Sequence, residues 1–385
     1  MSTLLAGPPP AAGAERLAEH QRRLGPRPLG SPALIDFVDR SGLVGRGGAS
    51  FPVGTKWRSV AAGSGPAVVI ANGAEGEPLS RKDQTLMARR PHLVIDGALI
   101  AAETVGADRV FLYVGEAHHA ALAAMTQALA ERPPGDRARA RVLPAPPTYT
   151  AGEESAAVHF VNERVATPTA IPPRPFESGV DGRPTLVQNV ESLAHAALIA
   201  RNAVPGTVLL TVGGAVARPG VYEIHSGGTV GEALELAGGS RPGVRAVLLG
   251  GYFGGWIDAR EASAFVLDPR TLKAAGGSLG CGVTWVLDQA TDPLVETARV
   301  MRHLADESAA QCGPCFFGLR SLAAAATRLA TGQPDARDLP NLHRWVDLVR
   351  GRGACRHPDG AAAFMASALK LFAPEYAAAG RRARF

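Results

Sequence analysis

The sequence predicts an α/β protein in three parts: a parallel-sheet domain, a smaller β-rich module and a C-terminal helical bundle. Three observations lead there. Apolar, strand-length runs at Ala67–Ala71 and Arg109–Val114 alternate with helical patterns near 91–106 and 116–131, with Gly and Pro between them. Such alternation is expected of parallel strands joined by crossover helices. Short β-rich runs then follow from Thr207 to Leu249, and from about 290 onward Ala/Leu/Arg stretches carry helical spacing. A chain of 385 residues has room for two or three domains. We therefore expect a flexible N-terminal arm at 1–30, an α/β domain at 31–204, a β-rich domain at 205–289 and a helical domain at 290–385.

Each element has a local reason. Residues 1–30 are rich in Ala, Pro, Gly and Arg and read as a poorly packed arm. The spacing Leu34, Ile35, Phe37, Val38 predicts a short helix. The buried strand at Ala67–Ala71 ends in the acidic turn Asn72-Gly-Ala-Glu75-Gly-Glu77-Pro78, and a turn-to-helix junction falls at Tyr149-Thr-Ala-Gly152-Glu153-Glu154. In such sheets ligands sit beyond the carboxyl ends of the strands, which is where the 72–78 turn and the chain near 115 would lie. After a change of composition at 203–206, two strands flank an Arg218-Pro-Gly turn. A short helix at 229–237 and a strand at Val244–Leu249 follow. Trp256, in a Gly-rich loop, is expected to pack that loop against its neighbours.

Composition excludes several classes. A hydrophobic content of 46% suits a globular protein, and no apolar run reaches the length that crosses a bilayer. We expect a cytoplasmic protein with no direct membrane insertion. The net charge of +5 comes from scattered arginines with few aromatics, unlike the clustered basic stripe of a nucleic-acid binder. An acidic protein partner is a better use of that charge.

The richest segment runs from Gly42 to Trp57, with five glycines in sixteen residues and the cations Arg46 and Lys56. Glycine lets backbone N–H groups approach and face an anion, so the loop suits a phosphate-bearing ligand. It fits neither common template. A dinucleotide fingerprint needs glycine where Ser50 stands, and a P-loop needs lysine directly after Gly54, where Thr55 intervenes.

Four cysteines suggest metal chemistry more than disulfides: Cys312 and Cys315 form a C-x-x-C pair, with Cys355 and Cys281 at a distance. His118-His119 reads as a solvated surface pair. No Ser/His/Asp arrangement supports a nucleophile, and we assign no catalytic side chain.

Taken together, the ordered motifs resemble the family of flavin- and NADH-binding subunits of respiratory complex I and the related diaphorase subunits of hydrogenases and formate dehydrogenases. They are Gly45-Arg46-Gly47-Gly48…Phe51-Pro52…Gly54…Lys56-Trp57, then Asn72…Glu75-Gly76-Glu77-Pro78, then Tyr149…Gly152-Glu153-Glu154, then Pro184-Thr185…Asn189-Val190-Glu191. Val-Ala-Arg-Pro-Gly-Val-Tyr looks like that family's soluble-ligand-binding β-grasp (ubiquitin-like) domain, and Glu307-Ser308…Cys312-Gly-Pro-Cys315 with Cys355 looks like its cluster segment. The resemblance covers roughly residues 33–370. It implies a Rossmann-like FMN-binding domain. FMN would be held by Gly45, Arg46, Gly47, Gly48, Lys56, Asn72 and Asn189, with Glu75, Gly152 and Glu153 also at contact positions. Phe51, Glu77, Tyr149 and Glu154 would face the dinucleotide. Electrons would pass from NAD(P)H through FMN to an iron–sulfur carrier such as a ferredoxin-like protein, with this chain a possible member of a larger complex of several chains.

The sequence also departs from the family. Ser59 stands where a second Phe is expected, and Ile171-Pro172-Pro173-Arg174 replaces a Lys-Pro-Pro-Phe run. Ala74 replaces an acidic residue. Each lost ring costs on the order of 1 kcal/mol of stacking. The first cluster cysteine is Ala309, leaving Cys312, Cys315 and Cys355 as metal ligands. A three-cysteine cluster, a cluster completed by Cys281, zinc with His357, and no metal all stay open. The rival reading is a degenerate docking or ferredoxin-only electron-transfer protein that has lost NADH binding.

Overall fold

The central strand β1 (Ala67–Gly73) is apolar over most of its length and buried because both of its faces are covered. β2 (Ala107–Gly115), β3 (Ala140–Ala145) and β4 (Thr185–Asn189) join it in a four-stranded sheet of order β3-β2-β1-β4. All of its pairings are parallel. The computed structural model describes residues 4–204, 206–268, 271–272 and 279–382, so Pro205 within the predicted boundary lies outside them. The chain divides into two units, Met1–Leu209 with Glu223–Ser226, and Leu210–Tyr222 with Gly227–Phe385.

In the first unit the predicted helices appear at Leu34–Arg40, Pro91–Val105 and His119–Ala130. The helix Pro91–Val105 is buried along nearly its whole length, between the sheet and the helix Val190–Ile199. β1 runs to β2 and β3 on one side, while β4 pairs on its other side. The strand order therefore reverses between β1 and β4, the kind of switch point beyond whose carboxyl ends ligands of such sheets bind.

The N-terminal arm is a correction. The segment is tied down at points: Leu4 is fully buried, as are Glu15 and His20, while Pro9–Gly13 between them is exposed. Buried Arg90 donates to the carbonyls of Ala6 at 2.7 Å, Leu5 at 2.9 Å and Pro8 at 2.6 Å. The helix Leu17–Leu24 carries His20, whose Nε2 lies 2.9 Å from Asp96 and whose Nδ1 lies 3.3 Å from Glu15. Arg23 bonds the same Glu15 carboxylate through two nitrogens, at 2.8 and 2.9 Å. Composition suggested looseness because the partners that satisfy these polar groups lie far away in sequence.

The second sheet contains β5 (Thr207–Gly214), β6 (Gly220–His225), β7 (Val244–Leu249), β8 (Gly255–Asp258) and β9 (Val283–Asp288), in the order β6-β5-β9-β7-β8. β5 runs parallel to β9, whereas β7 runs antiparallel to both β8 and β9. The short helix Val230–Leu236 starts with a capping box from Thr229 and Glu232. The helices Pro293–Asp306, Arg320–Ala330, Asp338–Val349, His357–Leu371 and Ala373–Arg381 follow, with a π-helical turn at Pro314–Leu319. Trp256 in β8 stacks near Phe364 and Phe372, ring centroids 6.1 and 5.7 Å away. Trp256 thus packs against its neighbours as expected, but from a strand and not from a loop.

Candidate functional site

The switch point is built from paired asparagines. Asn72 lies near the end of β1 opposite Asn189 at the end of β4. The Asn72 amide donates to the Gly152 carbonyl at 2.8 Å, tying the strand end to the 149–154 turn. Asn189 caps the helix Val190–Ile199 by accepting from the Glu191 N–H, and its own amide donates to Asp83 at 2.7 Å.

The Gly-rich loop lies against this pair. A Cβ on Gly47 would stand 3.4 Å from the Asn189 side chain. Gly48 sits at φ +112°, a conformation that L side chains rarely adopt. The Gly45 N–H donates to the Phe51 carbonyl and the Arg46 N–H to the Ser192 hydroxyl, whereas Gly47 and Gly48 make none of the loop's backbone hydrogen bonds among the described residues. Phe51 is about half exposed. The helix Val53–Ala61 grows directly out of the loop and carries Lys56, whose ammonium pairs with Glu154 at 2.6 Å. The 72–78 turn and the Tyr149 segment press together at Gly76, where a Cβ would come within 2.7 Å of the Tyr149 carbonyl. Glu77 accepts from the Tyr149 hydroxyl at 3.0 Å.

Three predicted residues differ in what their side chains do. The guanidinium of Arg46 does not stand free to meet a phosphate. It is buried, with Nε 4.0 Å from Glu191 and Nη2 3.4 Å from the Thr207 carbonyl. The Glu75 carboxylate accepts from the Asp83 and Gln84 N–H groups and the Ser80 hydroxyl, so it caps the helix Lys82–Arg89. Glu153 likewise caps its own helix, Glu154–Glu163, by accepting from the Ser155 and Ala156 N–H groups. Free helix N–H groups compete effectively for a nearby carboxylate. His118 is a smaller correction: it is only partly exposed, and burial lowers its pKa.

Beneath the loop lies a charge cluster that motif reading missed. Lys82 is 2% exposed and bonds Asp83 at 2.7 Å and Glu191 at 2.9 Å. Burial works against its charge, but Asp83 and Glu191 outweigh burial and raise its pKa. Burial pushes the Asp83 carboxyl up against the pull of Lys82, to about 7. Burial opposes the charge of Glu191 too, yet Lys82 and Arg46 keep its pKa low. Neighbouring His195 is fully buried, and burial first, then Arg46, lowers its pKa to about 4. Only the polar run Arg81-Lys82-Asp83 behind an acidic turn could have signalled this cluster.

The family departures have visible settings. Ala74 is buried in the cluster with Ile70, Phe111 and Tyr113, a setting hostile to the expected acid. The Ser59 hydroxyl donates to the Thr55 carbonyl on the exposed face of its helix.

In the second unit, the Cys315 thiol hydrogen-bonds with Cys312 and Ser308 and lies near Cys355; burial first, then the two sulfurs, push its pKa up to about 12. Three neighbouring thiols are a donor set that an iron–sulfur cluster binds as thiolates. Cys281 is held elsewhere, its Sγ 3.4 Å from the Gly250 carbonyl. Among the described residues no three His, Cys, Asp or Glu side chains converge on a position for one metal ion. His357 bonds the Leu304 carbonyl through Nε2 at 2.7 Å, and its ring meets Phe253 edge-on.

Comparison with known proteins agrees with this organisation. Residues 38–197 match the Nuo51 FMN-binding domain, 209–251 the SLBB domain, and 296–379 the NADH-ubiquinone oxidoreductase-F iron-sulfur binding region. The chain is 32% identical over 371 residues to an F subunit of the NADH-quinone oxidoreductase of Rhizobium meliloti (strain 1021), covering 90% of this chain and 88% of that one. It is 32% identical over 380 residues to the corresponding F subunit of Mycobacterium tuberculosis (strain H37Rv), covering 90% and 84%. The crystal structure of an NAD+-reducing [NiFe]-hydrogenase in the air-oxidized state superposes with a TM-score of 0.81 at 29% identity. That match covers 91% of this chain but 63% of the hydrogenase chain. No helix among the described residues is long and apolar enough to cross a membrane. With its curated relatives matched over most of their length, the chain belongs to the family of NADH-quinone oxidoreductase F subunits.

Proposed function

We propose that this chain is an FMN-dependent oxidoreductase that takes electrons from NADH and delivers them singly to an iron–sulfur carrier. The observation that carries the reading is the β1/β4 switch point, where Asn72 stands opposite Asn189, Gly47 packs on Asn189, and the amides of Gly47 and its neighbour Gly48 make none of the loop's hydrogen bonds among the described residues. These groups fit a flavin mononucleotide. The Gly47 and Gly48 amides and the Lys56 ammonium suit the phosphate, and Asn72 and Asn189 suit the flavin or its polyol chain. Arg46 acts from below, holding the loop to Glu191 and Thr207, and Gly45 closes the loop onto Phe51. Gly152 offers its carbonyl to Asn72, while Glu75 and Glu153 fix the helix ends that frame the site. Bound FMN supplies the conversion between two-electron and one-electron transfer. Phe51, Glu77, Tyr149 and Glu154 stand where a dinucleotide would enter, with Phe51 exposed for stacking.

Cys312, Cys315 and Cys355 hold the iron–sulfur cluster. Beside them Phe317 is 69% exposed, and Arg320 lies over the Phe316 ring at 4.6 Å. This apolar and cationic surface suits an acidic, ferredoxin-like acceptor in the cytoplasm, within a larger assembly. The test is anaerobic mixing of purified protein with NADH and, separately, NADPH. We expect the flavin absorbance to bleach with NADH. A flavin that stays oxidised with both would overturn the dehydrogenase reading in favour of a docking or ferredoxin-only role.

A further inference from the structure

The cluster segment has three sulfurs and four corners to fill. Cys312 and Cys315 come from the turn and the π-helical segment after Asp306, and Cys355 from the loop before the helix His357–Leu371. These elements pack together. Cys315 is buried, while Cys312 and Cys355 are partly exposed. The Cys281 Sγ lies 3.4 Å from the Gly250 carbonyl, on a loop of the second sheet. The chain approaches Cys312 through Ser308, Ala309, Ala310 and Gln311. Ala310 takes φ +52° there, and all four residues are at least partly exposed to solvent. The Ser308 hydroxyl donates to the Ala305 carbonyl at 2.9 Å. Ala309 presents only a methyl group.

Building on the cluster part of the proposed function, we infer that three protein thiolates, Cys312, Cys315 and Cys355, hold the cluster, and that its fourth corner takes a water-derived ligand. The fourth iron is then exchangeable. A three-thiolate cubane reacts with a one-electron oxidant in a balanced step. [4Fe–4S]2+ releases Fe2+ and gives one electron to the oxidant, leaving [3Fe–4S]+. Ferrous iron with a reductant reverses it. A fourth thiolate would retain that iron.

The experiment uses full-length protein purified without air, with iron, sulfide and FMN counted and electron paramagnetic resonance recorded before and after one equivalent of ferricyanide. We expect the oxidised sample to lose about one iron in four and to gain the signal of a three-iron core. Added ferrous iron and dithionite should remove that signal. Ala309→Cys should keep all its iron under the same oxidation, and Cys281→Ala should behave as the unaltered chain. Full iron retention in the unaltered chain, or loss of the whole cluster in Cys281→Ala, would overturn the three-thiolate assignment while leaving the cluster itself in place. Absence of iron with FMN retained would overturn both the inference and the cluster half of the proposed function, leaving the flavin half standing.

Discussion

At Gly48 the backbone sits at φ +112° while the adjacent Gly47 packs against Asn189, so two neighbouring glycines serve different needs. Gly48→Ala forces a strained conformation worth about 1–3 kcal/mol into the loop. We expect that variant to fold but to bind FMN about tenfold more weakly or worse, measured by fluorescence quenching of added flavin. Lys56→Gln removes one charge from a partly exposed site, where solvent screening limits the loss. A rise in Kd of about tenfold, roughly 1.4 kcal/mol, is expected, and an unchanged Kd would remove Lys56 from the phosphate site. Lys82→Met differs in kind, because it leaves buried Asp83 without its cation and buried Glu191 with Arg46 alone. It should destabilise the protein by about 3–5 kcal/mol in denaturant titrations, with partial recovery in Lys82→Met/Glu191→Gln. The Gly-rich loop was legible in the sequence because few residue types can adopt its backbone, whereas Asn72 and Asn189 drew notice only through the family resemblance. Lys82 was not legible, since a lysine written in sequence looks solvated until the surrounding elements close over it.

The element whose behaviour departs most from expectation is the segment from Leu4 to Leu24. Its anchors are Arg90 and Asp96, just before and on a helix that begins much later in the chain. Burial works against the ionisation of Glu15, yet hydrogen bonds from His20 and Arg23 outweigh it and bring its pKa to about 2. Burial also opposes the charge of His20, but bonds to Asp96 and Glu15 raise its pKa. The signs differ. The contribution of Glu15 is complete above the ordinary value of 4.5 and is lost as pH falls toward about 2. That of His20 is complete below 6.5 and is lost as pH rises through its raised value. The urea midpoint should therefore fall on both sides of neutrality, and His20→Phe should shrink the alkaline limb, to which Asp83 with its pKa near 7 also contributes, while Arg23 retains the acid one. An alkaline limb unchanged by this substitution would remove His20 from the account. The β-strands and longer helices, by contrast, were readable from periodicity alone, because apolar spacing reports directly on which face is covered.

For the whole molecule, a +5 charge and exposed arginines around the cysteine-bearing elements imply electrostatic steering of an acidic acceptor. The second-order rate of electron delivery to an acidic ferredoxin should drop about tenfold or more between low and high ionic strength. A salt-independent rate would point to an apolar interface at Phe316 and Phe317. The sequence by itself determined the fold class, the order of its modules, the Gly-rich loop, and the shortage of thiolates at Ala309. Each of these depends on residue type and local spacing. Only the tertiary structure decided that Arg46 turns inward, that Glu75 and Glu153 cap helices, that the N-terminal segment is tied down at points, and that Lys82 lies beneath the loop. The reason is physical: a polar side chain takes whichever partner folding brings within hydrogen-bonding distance, and that partner is seldom its neighbour along the chain.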